Sequence, residues 1–305
     1  MVSVMVSCGT TERSDSSIIT TSIPPFEYFV KAIAGDGYQV NVIVPPGASP
    51  ATFEPTPSVI KGLNKSELLI LDGYLGYETA WGDKLQSVNP GIATLTLANN
   101  QNLISGEAHD HGDHQHSSGV DPHFWISPPS AAIMASDIFE FLVKNYPGDS
   151  ILFRDNYNNL ASEINSVHNY VDSLLGGTGS RAFMIFHPAL SYLARDYGLE
   201  QIAVEIEGKE PSPSDLKELI DHARLENIGV IFVQREFDRK NAEAIASEIG
   251  AEVVEIDPLS ADWANSVRLD STGHKQRFRE ELNTRKMANL LKIEGISAGT
   301  METWF

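Results

Sequence analysis

The stretch DSILFRDNYNNLASEINSVHNYVDSLLG, residues 149–176, decides the architecture of the chain. Its apolar side chains recur at alternating intervals of four and three residues, which is the period of one helical face: Phe153, Tyr157, Leu160, Ile164, Val167, Val171 and Leu174. Asp149 or Ser150 suits the amino-terminal cap, and Gly176 suits the end. A helix of about 25 residues extends roughly 40 Å, which is long enough to run along two lobes. The alternative is a core helix of one large domain.

Short apolar runs alternate with helical patterns on both sides of this helix. Before it, the pattern predicts strands at 18–22, 38–44, 68–71 and 94–97, and helices from Pro24 and at 56–64 and 78–88. After it, the pattern predicts strands at 182–186, 201–205, 230–233 and 252–256, and helices at 189–197, 212–226 and 240–249. This order predicts an α/β fold of two lobes, each a mostly parallel sheet flanked by helices. The long helix joins the lobes, and a cleft lies between them.

The composition limits the classes of partner. The 305 residues include 22 Lys+Arg and 41 Asp+Glu, which gives a formal net charge of −19. Because such a surface repels phosphate backbones, nucleic acid is not expected as a partner. No apolar run approaches the roughly 20 residues that span a bilayer. Cys8 is the only cysteine, so disulfides and thiolate metal clusters are excluded, and histidine and carboxylate side chains would have to hold any metal.

The two ends of the chain differ from its body. The first eight residues are a short apolar segment, a small residue and Cys8, which is typical of the end of a bacterial lipoprotein signal with a lipidated cysteine. No basic residue precedes Cys8, and the alternative is an unstructured start. Residues 263–305 carry seven basic and five acidic residues, so the acidity lies in the body. The predicted division is a signal-like start (1–17), a first lobe (18–148) with a His-rich loop (107–118), a joining helix (149–176), a second lobe (177–263) and an atypical tail (264–305).

Four of the nine histidines lie in the His-rich loop: His109, His111, His114 and His116. Imidazoles and carboxylates at this density attract Zn²⁺ and neighbouring divalent metals. Glycine and serine surround them, so the loop is predicted to collect metal in a labile way and not as a shaped site. A solvated polar loop is the alternative.

A second set of chemically capable residues lies at strand ends. His187 and Asp257 each follow a predicted strand and precede a proline, at the place where open α/β sheets bind ligands. His123 lies between Pro122 and an aromatic pair, where its backbone is restricted. His123, His187 and Asp257 together form an N,N,O set that suits Zn²⁺ or Mn²⁺. Two glutamates at another strand end are further candidates, with solvated loop acids as the alternative: Glu205 and Glu207.

These motifs resemble one known family, the extracytoplasmic solute-binding proteins of zinc and manganese ABC importers. The likeness covers residues 18–263, and the motifs occur in the family's order: VPPGASP (44–50), FEP (53–55), the His-rich insertion, DPHFW (121–125), FH (186–187) with YLARDYGL (192–199), and IDPL (256–259). The resemblance implies two α/β lobes joined by a long helix, with a metal in the cleft. It also implies a monomer without enzymatic activity that passes its metal to a membrane permease.

By resemblance, His123, His187 and Asp257 match three metal ligands, and the His-rich loop matches an accessory segment typical of zinc members. One position departs from the family pattern, because many relatives carry a first-lobe histidine where this chain has Ala51. The fourth ligand would then be water, an unidentified residue or one of three carboxylates: Glu54, Glu205 and Glu207.

Three functions are therefore weighed. The first is capture of Zn²⁺, with Mn²⁺ second, and its delivery to an ABC permease. The alternative, which Ala51 supports, is a related cleft binder for an organic chelate or an adhesin-like protein with weakened or lost metal binding. The third is a zinc hydrolase, since three protein ligands and an open position suit catalytic zinc. The sequence contains no H-E-x-x-H motif to support the hydrolase.

Overall fold

The computed structural model describes residues 17–105, 119–175, 182–205 and 209–268. The first sheet is parallel, has the order β2-β1-β3-β4, and consists of β1 Ser17–Thr21, β2 Tyr38–Val42, β3 Leu68–Leu71 and β4 Ala93–Thr96. The second sheet is also parallel, has the order β6-β5-β7-β8, and consists of β5 Ala182–Ile185, β6 Glu200–Ala203, β7 Val230–Gln234 and β8 Glu252–Ile256. The predicted α/β fold of two parallel-sheet lobes is confirmed.

The helices flank these sheets. Their bounds are α1 Pro24–Ala34, α2 Pro57–Leu63, α3 Gly76–Val88, α4 Pro128–Asn145, α5 Ser150–Leu175, α6 Ser191–Tyr197, α7 Pro213–Leu225 and α8 Lys240–Ile249. Residues 263–268 are also helical. Predicted and observed ends differ by no more than two residues, which is the usual uncertainty of a helix or strand end. Within the described ranges, every helix is too short or too polar to traverse a lipid bilayer.

Helix α5 is the predicted joining helix. The stripe that it buries is the one that the sequence spacing indicates: Phe153, Leu160, Ile164, Val167, Val171, Leu174 and Leu175. It packs on α1 and α4 of the first lobe. Toward the second lobe, the Nδ1 atom of His168 lies 2.8 Å from the hydroxyl oxygen of Tyr197 on α6. One rigid helix thus contacts both halves of the molecule.

Helix α4 lies outside the elements predicted from the sequence. Helix α4 begins at Pro128, in the first turn, where proline needs no hydrogen-bond partner. Its buried face follows helical spacing, although small side chains weaken the signal: Ser130, Ala131, Met134, Ala135, Ile138 and Leu142. It occupies the segment of the first lobe between the first sheet and α5.

A continuous apolar core connects the two lobes. It extends from the first sheet through α1, α4 and α5 to the inner face of the second sheet, where Phe183 and Ile185 join it. Their neighbours Ala182 and Met184 point to the other face and belong to a second cluster. Burial on both faces is typical of parallel strands between helices.

Two buried tryptophans link segments that are distant in the sequence. We refer to Trp125 and Trp263 as the tryptophan pair. The Nε1 atom of Trp125 donates a hydrogen bond to the carbonyl oxygen of Pro258, at 2.9 Å, in the loop after β8. The Nε1 atom of Trp263 donates to the carbonyl oxygen of Trp125, at 2.7 Å. The segment that precedes α4 in the first lobe is therefore hydrogen-bonded to the loop that follows β8 in the second lobe.

In each sheet, the order in which the chain adds strands reverses once. In the second sheet the chain proceeds from β5 outward to β6 and then returns to place β7 on the other side of β5. Ligands of open α/β sheets bind beyond the carboxyl ends of the strands at such a switch point. The residues that follow β5 and β7 therefore lie where a ligand site is expected.

Candidate metal centre

His123 is held by a carboxylate two residues before it. The Oδ1 atom of Asp121 accepts the backbone N–H of His123 at 2.8 Å and lies 2.8 Å from its Nδ1 atom. Burial opposes the charge on Asp121, but these hydrogen bonds and the attraction of His123 outweigh it and hold the pKa of that carboxyl below its usual range. The Tyr192 hydroxyl donates to the carbonyl oxygen of Asp121 at 2.7 Å. The imidazole is thereby fixed through its Nδ1 side.

His187 is held in the same way from the second lobe. It lies just beyond β5, and its Nδ1 atom is 2.6 Å from the Oε1 atom of Glu205. The buried amide of Gln234, at the end of β7, accepts the backbone N–H of His187 and donates to its carbonyl oxygen at 2.6 Å. The Phe237 ring stacks on the imidazole, with centroids 5.3 Å apart. Backbone and ring are both constrained.

These constraints bring the two free imidazole nitrogens together. The Nε2 atoms of His123 and His187 lie 3.3 Å apart. Two Zn–N bonds of about 2.0–2.1 Å at a tetrahedral angle place their nitrogens about 3.3–3.4 Å apart. Because a carboxylate occupies each Nδ1 atom, each Nε2 atom can present a lone pair to a shared cation.

The imidazole pair faces a cavity of about 190 Å³ between the lobes. Most of its walls are apolar, and the first lobe supplies Ser49, Pro50, Ala51, Leu75 and Gly76. The turn that carries Ala51 packs closely on α3, since a Cβ at Gly76 would lie 2.4 Å from the carbonyl oxygen of Ala51. The position that carries a histidine in many relatives is therefore occupied by Ala51. Its methyl group cannot bind a metal, and its backbone is held in place by α3.

Asp257 does not line this cavity. Its Oδ2 atom lies 3.3 Å from the Nη1 atom of Arg235, whose Nε atom is 3.0 Å from the Oε1 atom of Glu255. Asp257 lines a neighbouring depression with Asp262 and Ser266. Of the three predicted ligands, the structure brings His123 and His187 together and holds Asp257 on an arginine. In the part of the chain that the structure describes, no group of three His, Cys, Asp or Glu residues has the geometry to hold a metal ion.

The other candidate ligands lie in different surroundings. Glu205 is the hydrogen-bond partner of His187, and Glu54 is exposed. Four further predictions fall on residues outside the described ranges: Glu207, the His-rich loop with His109, His111, His114 and His116, the lipidated Cys8, and the tail beyond residue 268.

Two acidic residues of the site were not among the predicted ligands or partners. Asp121 orients His123, and its signal was a carboxylate two residues before a histidine in a proline-restricted turn. Glu236 lines the cavity together with both imidazoles. Burial raises the pKa of Glu236 and the charge of Asp257 adds to this, while Arg235 and His187 act in the opposite direction. Glu236 lies two residues beyond β7, so the strand-end argument applied to it as well.

Comparison with known proteins agrees with this architecture. Residues 19–269 match the family described as ZnuA, zinc-uptake complex component A, periplasmic. The chain is 28% identical to the high-affinity zinc uptake system protein ZnuA of Bacillus subtilis, in an alignment of 306 positions that covers 95% of each chain. It is 26% identical to the zinc-binding lipoprotein AdcA of Streptococcus pneumoniae (strain ATCC BAA-255 / R6) and spans about half of it, 53%.

Solved structures show the same fold. A crystal structure of ZnuA superposes with a TM-score of 0.79 and 34% identity, over 86% of this chain and 98% of that one. A manganese-bound periplasmic metal-binding protein from Candidatus Liberibacter asiaticus superposes with a TM-score of 0.75 at 20% identity, over 86% and 99% of the two chains, and this likeness concerns the fold alone. With the family match over most of its length, the chain belongs to the ZnuA family of periplasmic zinc-uptake components.

Proposed function

We propose that this protein captures Zn²⁺ outside the cytoplasm and delivers it to the membrane permease of an ABC importer. The observation that carries the proposal is the 3.3 Å separation of the Nε2 atoms of His123 and His187, which is the spacing of two ligands on one tetrahedral zinc ion. Imidazole ligands favour Zn²⁺, and Mn²⁺ is the second candidate cargo. Membership in a family of zinc-uptake components supports the same cargo.

Asp257 is proposed as the third ligand. It follows β8, which pairs with β7, the strand that ends at Gln234. To reach the cation, its carboxylate exchanges the ion pair with Arg235 for a metal–oxygen bond. Because Arg235 is largely exposed, this ion pair is a modest competitor.

The carboxylates behind the imidazoles tune the site. Asp121 and Glu205 fix the tautomer of each ring and raise the basicity of its Nε2 atom. The apolar walls of the cavity keep the captured ion from bulk water. The formal net charge of −19 favours the approach of cations to the molecule.

The proposal extends to the setting of the protein. We infer a monomer that acts in the periplasm or at the cell surface, that is no enzyme, and that a lipid on Cys8 holds at the membrane. The His-rich loop, residues 107–118, is proposed to collect metal in a labile way. The name of AdcA, a zinc-binding lipoprotein, supports the lipid anchor.

The test is calorimetric titration of Zn²⁺ into a variant whose four loop histidines are replaced by glutamine, so that only the cleft is measured. One tight site per chain is expected, and His187→Ala is expected to weaken it by at least about tenfold, more than the loss typical for an outer-shell partner. His222→Ala is the matched control, because His222 is exposed on α7. Unchanged binding in His187→Ala would show that the cleft is not the zinc site.

A further inference from the structure

We propose that Glu236 is a metal ligand and that it supplies the coordinating group that Ala51 cannot. This inference rests on the proposed capture of a metal in the cleft and completes its ligand set. Because no three His, Cys, Asp or Glu side chains of the described residues are already grouped around one point, the Glu236 carboxylate would turn toward the two Nε2 atoms when the ion enters. The ion would then be held by His123, His187, Glu236 and Asp257, all but His123 from the second lobe.

The composition of the cavity wall points to Glu236. Among the described residues that line the cavity, Glu236 is the one carboxylate, and the two imidazoles are the other metal-binding side chains. Besides His123, the described residues of the first-lobe wall include no carboxylate or imidazole, and the other lining residues there are Ser49, Pro50, Ala51, Leu75, Gly76, Pro122 and Trp125. A compensating protein ligand must therefore come from the opposite wall, where Glu236 lies.

The position of Glu236 is set by its neighbour. Phe237 stacks on the His187 ring at an interplanar angle of 21°, and its ring also packs against Phe186 with centroids 5.2 Å apart. These contacts anchor the turn after β7 over the imidazole. Glu236 is half-buried and is close enough to His187 and Asp257 for both to influence its ionisation.

The charges at the site favour a cation beside Glu236. Arg235 is engaged with Glu255 and Asp257, and no lysine or arginine of the described residues lies within ion-pairing distance of the Glu236 carboxylate. A partly desolvated carboxylate that forms no direct ion pair is stabilised by a divalent ion. With Asp257, Glu236 would neutralise the two charges of Zn²⁺.

The exchange of an imidazole for a carboxylate also changes which metals the site prefers. Carboxylate oxygen suits Mn²⁺ better than imidazole nitrogen does. We therefore expect the natural chain to discriminate less strongly between Zn²⁺ and Mn²⁺ than a variant in which the first-lobe histidine is restored.

The experiment compares Glu236→Gln with Glu252→Gln in full-length protein that lacks the four loop histidines. Glu252 is exposed at the start of β8, so its substitution removes the same charge from the same lobe without touching the cavity. Zn²⁺ titration is expected to show a loss of at least about tenfold for Glu236→Gln and little change for Glu252→Gln. The d–d absorption of bound Co²⁺ reports the change in coordination.

A double variant separates a ligand role from a folding defect. Ala51→His combined with Glu236→Gln is expected to recover Zn²⁺ affinity and to bind Zn²⁺ over Mn²⁺ more selectively than the natural chain. If Glu236→Gln binds as tightly as Glu252→Gln while His187→Ala loses binding, the inference about Glu236 is wrong and the proposed function stands. If His187→Ala also binds normally, the proposed function itself fails.

Discussion

The carboxylates of Asp121 and Glu205 determine how the imidazoles of His123 and His187 face each other. The Oδ1 atom of Asp121 receives both the backbone N–H and the Nδ1 side of His123, and the Oε1 atom of Glu205 lies 2.6 Å from the Nδ1 atom of His187. Each histidine can rotate about its side-chain bonds, so the 3.3 Å separation of the Nε2 atoms depends on these partners. The separation of the two Nε2 atoms therefore depends on Asp121 and Glu205 as well as on the two histidines.

Replacing Asp121 by asparagine tests this dependence. Asparagine keeps an oxygen for the backbone N–H of His123 but removes the charge that supports the imidazole, so we expect Zn²⁺ affinity to fall by about 10–100-fold. Calorimetric titration measures the change. Asp155→Asn, at an exposed position of α5, is the control and should bind as the natural chain does. Equal affinities for the two variants would contradict a positioning role for Asp121.

A second buried acidic pair lies under the first-lobe wall. Asp72 is fully buried, its Oδ1 atom accepts the Tyr74 N–H at 3.0 Å, and its Oδ2 atom has no hydrogen-bond partner. Glu78 accepts hydrogen bonds from Ser22 and from the backbone N–H groups of Asp72 and Gly73. Burial, together with the repulsion of Glu78, raises the pKa of Asp72 well above its usual range.

The raised pKa of Asp72 predicts how stability depends on pH. Below the unfolded-state pKa, about 4, both states are protonated and the residue costs nothing; as the pH rises from there toward the folded-state pKa, ionisation favours the unfolded chain. Asp72→Asn should therefore raise the melting temperature at pH 7 and leave it nearly unchanged at pH 4. Thermal unfolding of both proteins at the two pH values checks this. A variant less stable than the natural protein at pH 7 would show that the Asp72 carboxylate is needed.

At the scale of elements, α5 contributes stability through one face. Ile164 lies at the middle of its buried stripe. Ile164→Ala removes apolar contacts and leaves a cavity, so we expect the free energy of unfolding to fall by about 2–5 kcal/mol. Ser166→Ala, on the exposed face, should change it by less than about 0.5 kcal/mol. Urea unfolding followed by circular dichroism measures both, and similar values would mean that α5 does not pack as described.

The elements that sequence reasoning predicts well are those with a strong period. The 4–3 spacing of α5 and the apolar run of β3 depend only on local order, and both were predictable within two residues. Helix α4 escaped prediction because alanine and serine fill much of its buried face. The orientation of Asp257 toward Arg235 depends on a contact between β7 and β8, which no local pattern encodes. The predicted strand ends indicated where the site lies, but the direction of each side chain could not be predicted without the assembled sheet. The domain boundaries stay predictions.

One apolar core extends through both lobes of the molecule. The apolar cluster runs from the first sheet into the second, and the tryptophan pair bonds across the segments that flank the site. Large separation of the lobes would break these buried contacts. Release of the metal is therefore expected to involve movement of the turns around the cavity more than opening of the entire molecule.

Trp263→Phe tests the hydrogen bond between Trp263 and the carbonyl oxygen of Trp125. Phenylalanine keeps an aromatic ring but leaves the buried carbonyl oxygen of Trp125 without its donor, so the free energy of unfolding should fall by about 1–3 kcal/mol. Urea unfolding should still show one transition, because the core is continuous. Trp81→Phe, at a partly exposed position beside Lys84, is the control, with an expected change below about 0.5 kcal/mol. A second, separate transition in either protein would show that the lobes unfold independently.

The position of Trp125 gives the molecule an optical property of its own. Its indole lies 5.3 Å from the imidazole of His123, centroid to centroid, and is shielded from water. Indole emission responds to the charge of a ring this close, and a cation bound to the imidazole changes that charge. Intrinsic fluorescence is therefore expected to report a cation bound at His123 on the unlabelled protein.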